Sequence, residues 1–403
     1  MVDAGLRVGI VANEASGDLL GAAIVAELTR LVPSVHCVGV AGPRMMAAGC
    51  ETLFPLERLS VMGLTEVLGH LRELLQRRRQ LTEHFRQDRP DVFIGIDAPD
   101  FNLGLERRLR AAGIRTVHVV SPTVWAWRPG RVKAIRRAVD LLLCLFPFEE
   151  PFLRRHGVPA RYVGHPLADQ IPLQVDRAQA RAALGLPLSG TLIALLPGSR
   201  LGEMERLAVP FIETAVACLA ARPGLRFAVP LVNPRLHACF VAALQRLAPD
   251  LPVTLVEGRG REVIAAADCV LTASGTATLE TLLLKRPMVV GYRVHPFTYQ
   301  LLTRLRLVKV HYAAMANLLA GRELAPEFLQ DRCRADLLAP AILALLDDPV
   351  RVAAITAEYA RIHAGMRHDA ARAAALAVLE LIGRVPGEGH KGEASKSVPA
   401  GQK

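Results

Sequence analysis

The chain has 403 residues, of which 51% are hydrophobic and 22% charged, enough for two or three domains with real cores, which excludes a disordered chain. Lysine plus arginine number 49 against 38 aspartate plus glutamate, a net charge of +11; 31 glycines and 27 prolines follow no period, which excludes a collagen-like chain. The seven cysteines (37, 50, 144, 218, 239, 269, 333) include no CxxC pair, so neither a zinc ribbon nor a disulfide framework is indicated, and in their apolar runs they read as small core residues.

The start, MVDAGLRVGIVANEASGD, carries Asp3 and only a short apolar run, unlike a secretory signal, and implies a cytoplasmic protein. No run of about 18 uncharged apolar residues occurs, so no transmembrane helix is expected. A mean hydropathy of +0.28 and a pI near 9.7 nonetheless point to contact with an anionic surface. Short apolar runs then alternate with helical periodicity. Strands are expected at Arg7–Ala12, Val35–Val40, Val92–Ile96, Arg115–Val120, Leu141–Leu145 and Arg161–Val163, and again at Leu192–Leu196, Arg226–Pro230, Val253–Val256, Cys269–Ala273 and Met288–Tyr292. Such runs, apolar on both faces and separated by helices, indicate two parallel, doubly wound sheets. The break is expected within Gly164–Pro187. This divides the chain into 1–168, 169–345, a helical 346–385 that packs back on the first domain, and a disordered tail at 386–403, rich in Gly, Lys and Ser.

Ligands of open α/β sheets bind beyond the carboxyl ends of the strands, so the polar residues there carry the functional reading. After the first strand comes Asn13-Glu14-Ala15-Ser16-Gly17-Asp18. Gly17 suits a tight turn and Asp18 a helix cap, whereas Glu14 needs a partner. The absence of GxGxxG removes the dinucleotide fingerprint. Asp97 and Asp100, flanking Pro99, can supply a general base or orient a sugar hydroxyl. Both tryptophans, Trp125 and Trp127, sit in one loop, and from Arg107 to Val139 there are nine basic residues and no acidic one. Leu64, Val67, Leu68, Leu71, Leu74 and Leu75 recur at helical spacing beside Arg72 and Arg77-Arg78-Arg79, a pattern that suits either packing on a sheet or an anionic membrane.

In the second half, Gly198-Ser199-Arg200 follows a strand, and Arg200 can neutralise a phosphate, with Glu203 and Glu205 placed to pin it. Ser274-Gly275-Thr276 opens a helix whose N–H groups suit an anion, and Glu280 lies further along it, where it can hold ribose hydroxyls. No GxxxxGK[ST], HExxH or GxSxG occurs, and the 12 histidines show no metal spacing, so no metal site is expected. No nucleic-acid motif accompanies the basic run.

Eleven stretches in order closely resemble the lipid-A-disaccharide synthase family: ANEASGDLLGA (12–22), VGVAGPRM (38–45), VMGLTEVLGHL (61–71), DVFIGIDAPDFN (91–102), VSPTVWAWRPGRV (120–132), YVGHP (162–166), ALLPGSR (194–200), PLVN (230–233), ASGTATLE (273–280), PMVVGYR (287–293) and NLLAGREL (317–324). Asn13 departs from the glycine usual there. The resemblance implies a GT-B fold, two Rossmann-like doubly wound domains facing each other across a cleft. It also implies an inverting transfer from UDP-2,3-diacylglucosamine to the 6-hydroxyl of 2,3-diacylglucosamine 1-phosphate (lipid X), giving lipid A disaccharide 1-phosphate and UDP.

By the same match Asp97 is the first choice of base, with Asp100 and Glu14 as competitors. Ser16, Gly17, Gly198, Ser199, Arg200, Ser274, Gly275, Thr276 and Asn317 fall to substrate and diphosphate, and Glu280 to the ribose. No cofactor or metal is implied. Acylated substrates imply peripheral attachment to the cytoplasmic leaflet of the inner membrane through the Leu64–Leu75 stripe. Oligomeric state stays open, a homodimer included. Competing readings are another UDP-sugar enzyme (a MurG-like transferase or a UDP-GlcNAc epimerase) and a two-domain binding clamp.

Overall fold

The computed structural model describes residues 5–59, 64–125, 129–294 and 312–384, the side chains of 64–71 and 129 excepted. The chain forms two compact units. Of the described residues, those within 5–124, 129–166 and 368–384 make the first; Trp125 and those within 167–367 make the second.

The first unit runs β1 (Leu6–Ala12), α1 (Ala15–Leu31), β2 (Val35–Val40), α2 (Pro43–Ala47), β3 (Cys50–Thr52), α3 (Leu64–Gln87), β4 (Val92–Ile96), α4 (Pro99–Ala111), β5 (Arg115–Val119), α5 (Val132–Ala138), β6 (Leu141–Cys144), α6 (Glu149–Arg155) and β7 (Ala160–Tyr162). After α7 (Pro166–Gln170), the second runs α8 (Arg177–Ala183), β8 (Leu192–Leu196), α9 (Leu201–Ala221), β9 (Arg226–Leu231), α10 (Pro234–Leu247), β10 (Val253–Glu257), α11 (Gly260–Ala266), β11 (Cys269–Thr272), α12 (Thr276–Leu283), β12 (Met288–Tyr292), α13 (Met315–Ala320), β13 (Glu327–Leu329), α14 (Ala335–Asp347) and α15 (Pro349–Met366). A last helix, α16 (Ala370–Leu381), belongs to the first unit, where Ala374, Ala375, Val378 and Leu379 join its core. Of the helices expected together at 346–385, α15 therefore stays with the second unit and only α16 returns to the first. The tail 386–403 lies outside the described residues.

All eleven expected strands are present, with ends displaced by about one residue. Two more, β3 (Cys-Glu-Thr) and β13 (Glu-Phe-Leu), sit at sheet edges, and the glutamate in each interrupts any apolar run. The sheet orders are β3-β2-β1-β4-β5-β6-β7 and β10-β9-β8-β11-β12-β13, parallel throughout. In each, the chain moves outward from one strand and then restarts on that strand's other side. The restart makes a topological switch point, between β1 and β4 in the first sheet and between β8 and β11 in the second, where adjacent connections diverge and leave a crevice. The strands meeting there are buried on both faces except at Arg7.

Each unit also buries a histidine beside a titratable partner. In the first, His118 Nδ1 on β5 lies 2.7 Å from Glu106 Oε1 on α4, and both side chains are fully buried. Burial holds the Glu106 carboxyl above its ordinary value against the opposing pull of His118. In the second, Lys285 Nζ donates to His363 Nδ1 (2.5 Å) and to Pro172 O (3.2 Å), while His363 Nε2 donates to Ala168 O (2.8 Å). Burial first, then Arg286 and Arg367, lower Lys285 to about 8.

Candidate active site

The register at the first switch point pairs Ala12 with Ile96, so Asn13 and Asp97 are the first residues past the two strands. Asp97 (φ 52°) and Ala98 (φ 41°) are consecutive non-glycine residues in the left-handed region, where each costs about 1–3 kcal/mol and persists only if its surroundings over-determine it. Here they do. Asp97 N–H donates to Val119 O (2.9 Å), and the amide of fully buried Asn102 donates to Asp97 O (2.9 Å), Ile96 O (3.1 Å) and Asn13 Oδ1 (3.2 Å). Three oxygens around one nitrogen fix the orientation of this amide. Asn102 thereby ties the Glu14 turn to the Asp97 turn, a role its position in the motif did not announce. Its i, i+4 relation to Glu106 places both on the buried face of α4.

Of the three carboxylates, Asp97 is half-buried, whereas Glu14 and Asp100 are exposed. Asp100 pairs with Arg131 at a site where its own side chain is 84% exposed, so the pair contributes little to stability. Ser16 is exposed and Gly17 buried, but Gly17 makes no tight turn, because both lie inside α1. Asp18 does not cap that helix either. Its carboxylate accepts from the N–H groups of Arg44 and Met45 (3.0 Å each) and so caps α2, a partner 26 residues away that local spacing does not reveal.

Beside these turns is a pocket of about 360 Å³, lined by the polar Asn13, Glu14, Asp100 and Arg78 and by the apolar Leu59, Leu74, Leu75, Ala98, Pro99 and Phe101. Leu74 is half-buried against the core and Leu75 is 41% exposed; the side chains of Leu64, Val67, Leu68 and Leu71 lie outside the described residues, as does Trp127. The basic run is partly neutralised. Asp140 takes Arg110 (2.9 Å) and Arg115 (3.8 Å), and Asp100 takes Arg131.

The second switch point differs in chemistry. Its register pairs Leu196 with Thr272. Gly198 at φ 121° lets the loop turn back on Glu203, whose side chain a Cβ at 198 would strike; Glu203 accepts from Ser199 N–H (3.3 Å) and Tyr292 Oη–H (3.4 Å). Neither Glu203 nor Glu205 pins Arg200, because Glu203 is engaged by its own loop and by Tyr292. The exposed Arg200 has no ion-pair partner among the described residues.

At the neighbouring turn Gly275 stands at φ 126° before α12. Ser274 Oγ donates to Ala313 O (2.8 Å), and Thr278 Oγ1 donates to Gly275 O (2.7 Å) and accepts from Met315 N–H (3.0 Å). The hydroxyls thus hold the helix start in place. The N–H groups of Gly275, Thr276 and Ala277 have no acceptor among the described residues, an arrangement suited to an anion.

Glu280, expected to be open for a ribose, holds Arg261 at 2.8 Å. Asn317, expected at the diphosphate, is fully buried with its hydrogen-bonding capacity used internally. Its amide donates to Ala325 O (2.7 Å) and Glu327 Oε1 (2.8 Å), and its oxygen accepts from Leu324 and Ala325 N–H (2.7 and 2.9 Å). Glu327 in turn accepts from Ala313 and Ala314 N–H (2.8 and 2.9 Å). Asn317 therefore braces the segment that receives Ser274. Among the described residues no three His, Cys, Asp or Glu side chains converge as metal ligands, and no helix is long and apolar enough to cross a membrane.

The sequence profile of the lipid-A-disaccharide synthetase family matches residues 8–381. Lipid-A-disaccharide synthase of Pseudomonas aeruginosa (strain UCBPP-PA14) is 54% identical over 380 residues, 94% of this chain and 99% of that protein. Among solved structures, the S. aureus MnaA–UDP co-structure aligns with a TM-score of 0.62 at 13% identity, covering 95% of this chain and 98% of that one. The glycotransferase of kitacinnamycin aligns at 0.60 with 18% identity, covering 94% and 99%. These two likenesses show the fold, the paired Rossmann-like sheets of the GT-B class. Matched along nearly its whole length, the chain belongs to the lipid-A-disaccharide synthetase family, glycosyltransferases of lipid A biosynthesis.

Proposed function

We propose that this glycosyltransferase moves the 2,3-diacylglucosaminyl unit of UDP-2,3-diacylglucosamine onto the 6-hydroxyl of 2,3-diacylglucosamine 1-phosphate, with inversion and release of UDP. The observation that carries this reading is the contrast between the switch points: a rigid carboxylate turn in one unit and unpaired cationic and N–H donors in the other. A single in-line displacement needs both. Asp97 takes the proton of the acceptor hydroxyl as its oxygen bonds to the anomeric carbon. The bond from that carbon to the UDP oxygen breaks, and the leaving diphosphate is met by Arg200 and the start of α12. Asp100, already paired with Arg131, and the exposed Glu14 are the alternative bases.

Both substrates carry acyl chains, so the protein works at the cytoplasmic face of the inner membrane. The exposed Leu75 and the pocket beside it support attachment through α3. Incubation of the purified protein with both substrates in detergent micelles, read by mass spectrometry, tests the reaction: a disaccharide 1-phosphate with equimolar UDP is expected, and its absence from folded protein defeats the reading. Flotation with anionic vesicles tests attachment: Leu68, Leu71 and Leu75 all replaced by Ser should leave the protein unbound, and unchanged partitioning defeats it.

A further inference from the structure

Among the described residues Arg78 is a cation without a counter-charge. It lies on α3, half-buried, and its guanidinium crosses α4 at Gly104 so closely that a Cβ at 104 would collide with Nη1. Its buried Nε has no hydrogen-bond partner, and no carboxylate among the described residues pairs with it. The neighbouring Arg77 differs, with Glu73 at 3.7 Å and the Phe54 ring at 5.0 Å. Burial, and then the charges of Arg108 and Arg107, press the Arg78 guanidinium below its ordinary value. A guanidinium partly withdrawn from water, with its Nε unpartnered and like charges nearby, is favoured by an anion that joins it.

The same side chain lines the pocket that holds Glu14 and Asp100 together with Leu59, Leu74, Leu75 and Phe101. A ligand matching this lining carries an acyl chain, a hydroxyl offered to a carboxylate, and a negative group. Of the two substrates proposed above, the acceptor has these features without a nucleotide. Glu14 and Asp100 would repel a phosphate, so of the lining residues Arg78 is the one that suits the anion.

We infer that Arg78, seated over Gly104, binds the phosphomonoester of the acceptor glycolipid and makes the enzyme select a phosphorylated acceptor, with the leucine and phenylalanine wall taking an acyl chain. This assignment rests on the reaction proposed above.

The test uses the full chain in phospholipid-free detergent micelles with saturating donor. It compares 2,3-diacylglucosamine 1-phosphate with the same acceptor lacking the phosphate. A charge-assisted contact of this kind predicts that wild type favours the phosphorylated acceptor in kcat/KM by about tenfold to a hundredfold. Arg78→Gln collapses that ratio toward one, Arg78→Lys restores part of it, and Arg79→Gln, an exposed neighbour, leaves it as in wild type. Gly104→Ala, which displaces the guanidinium without removing it, lowers the ratio in the same direction and stands in if Arg78→Gln does not fold. A ratio near one in wild type, or a wild-type ratio retained in Arg78→Gln or in Gly104→Ala, overturns the assignment.

Anionic phospholipid headgroups offer the same chemistry. An Arg78→Gln protein that loses anionic vesicles in flotation but keeps acceptor discrimination assigns Arg78 to the bulk membrane and also overturns the proposal. No disaccharide from either acceptor with wild type is a different failure, that of the reaction itself.

Discussion

The two switch points solve one geometric problem with opposite materials. At β1/β4 the turn is made by non-glycine residues, Asp97 and Ala98, forced into the left-handed region and locked by the buried amide of Asn102. At β8/β11 glycines 198 and 275 stand at φ 121° and 126°, far from the left-handed well of Asp97 and Ala98, in a region that glycine enters without a side-chain penalty. The difference follows from what each turn presents. A turn that must aim a carboxylate needs a side chain and accepts strain to hold it. A turn that must bring N–H groups close to an anion is better without one. The buried histidines repeat the contrast, with an acid, Glu106, behind the acidic turn and a base, Lys285, in the unit that carries Arg200.

The largest effect is expected at Asp97. Asp97→Asn keeps the shape of the turn and removes the proposed base. Turnover should fall about 10³-fold while calorimetry with UDP shows unchanged affinity; activity within a few-fold of wild type would move the base to Glu14 or Asp100. Next comes Arg200→Gln, which should weaken UDP binding by about tenfold to a hundredfold in the same titration. If the acceptor KM changed and UDP affinity did not, the two turns would have been assigned the wrong way round.

Asn102→Ala removes the clamp rather than the chemistry. Chemical denaturation should show a loss of about 1–3 kcal/mol, because three carbonyl or amide oxygens lose one donor. The distinguishing readout is kinetic: kcat should drop with UDP affinity intact, since the strained Asp97 turn relaxes. Equal stability and kcat would show that the strain needs no clamp.

The smallest effect is one of pH. Lys285 titrates near 8 in the folded protein against an ordinary 10.5, so the folded state favours the neutral amine and the unfolded chain binds more protons. Stability from this group is complete above 10.5 and is lost as pH falls through 8. Between pH 9 and pH 7 the loss is about 1 kcal/mol. Lys285→Met should flatten that slope in paired denaturation curves at the two pH values, and an unaltered slope would place the titration elsewhere.

The long strands, the family, and which loops carry carboxylates, glycines and hydroxyls were legible in the order of residues, because these are local properties: a run of apolar residues, a turn residue, a motif. Only the tertiary structure decided which loops meet. Strand order is a matter of pairing across the sheet, and without it nothing singles out β1/β4 and β8/β11 among the strand ends. The short edge strands β3 and β13 exist because a ladder extends to them, not through any pattern of their own. The partners of polar side chains are likewise long-range. Asp18 serves α2 instead of its own helix, Glu203 leaves Arg200 open, and Asn317, read as a ligand for phosphate, is saturated by its own fold. A polar residue near a ligand loop has the same letters whether it faces the ligand or braces the loop. Which it does depends on the donors and acceptors that folding brings within 3 Å, and a chain read in order does not contain them.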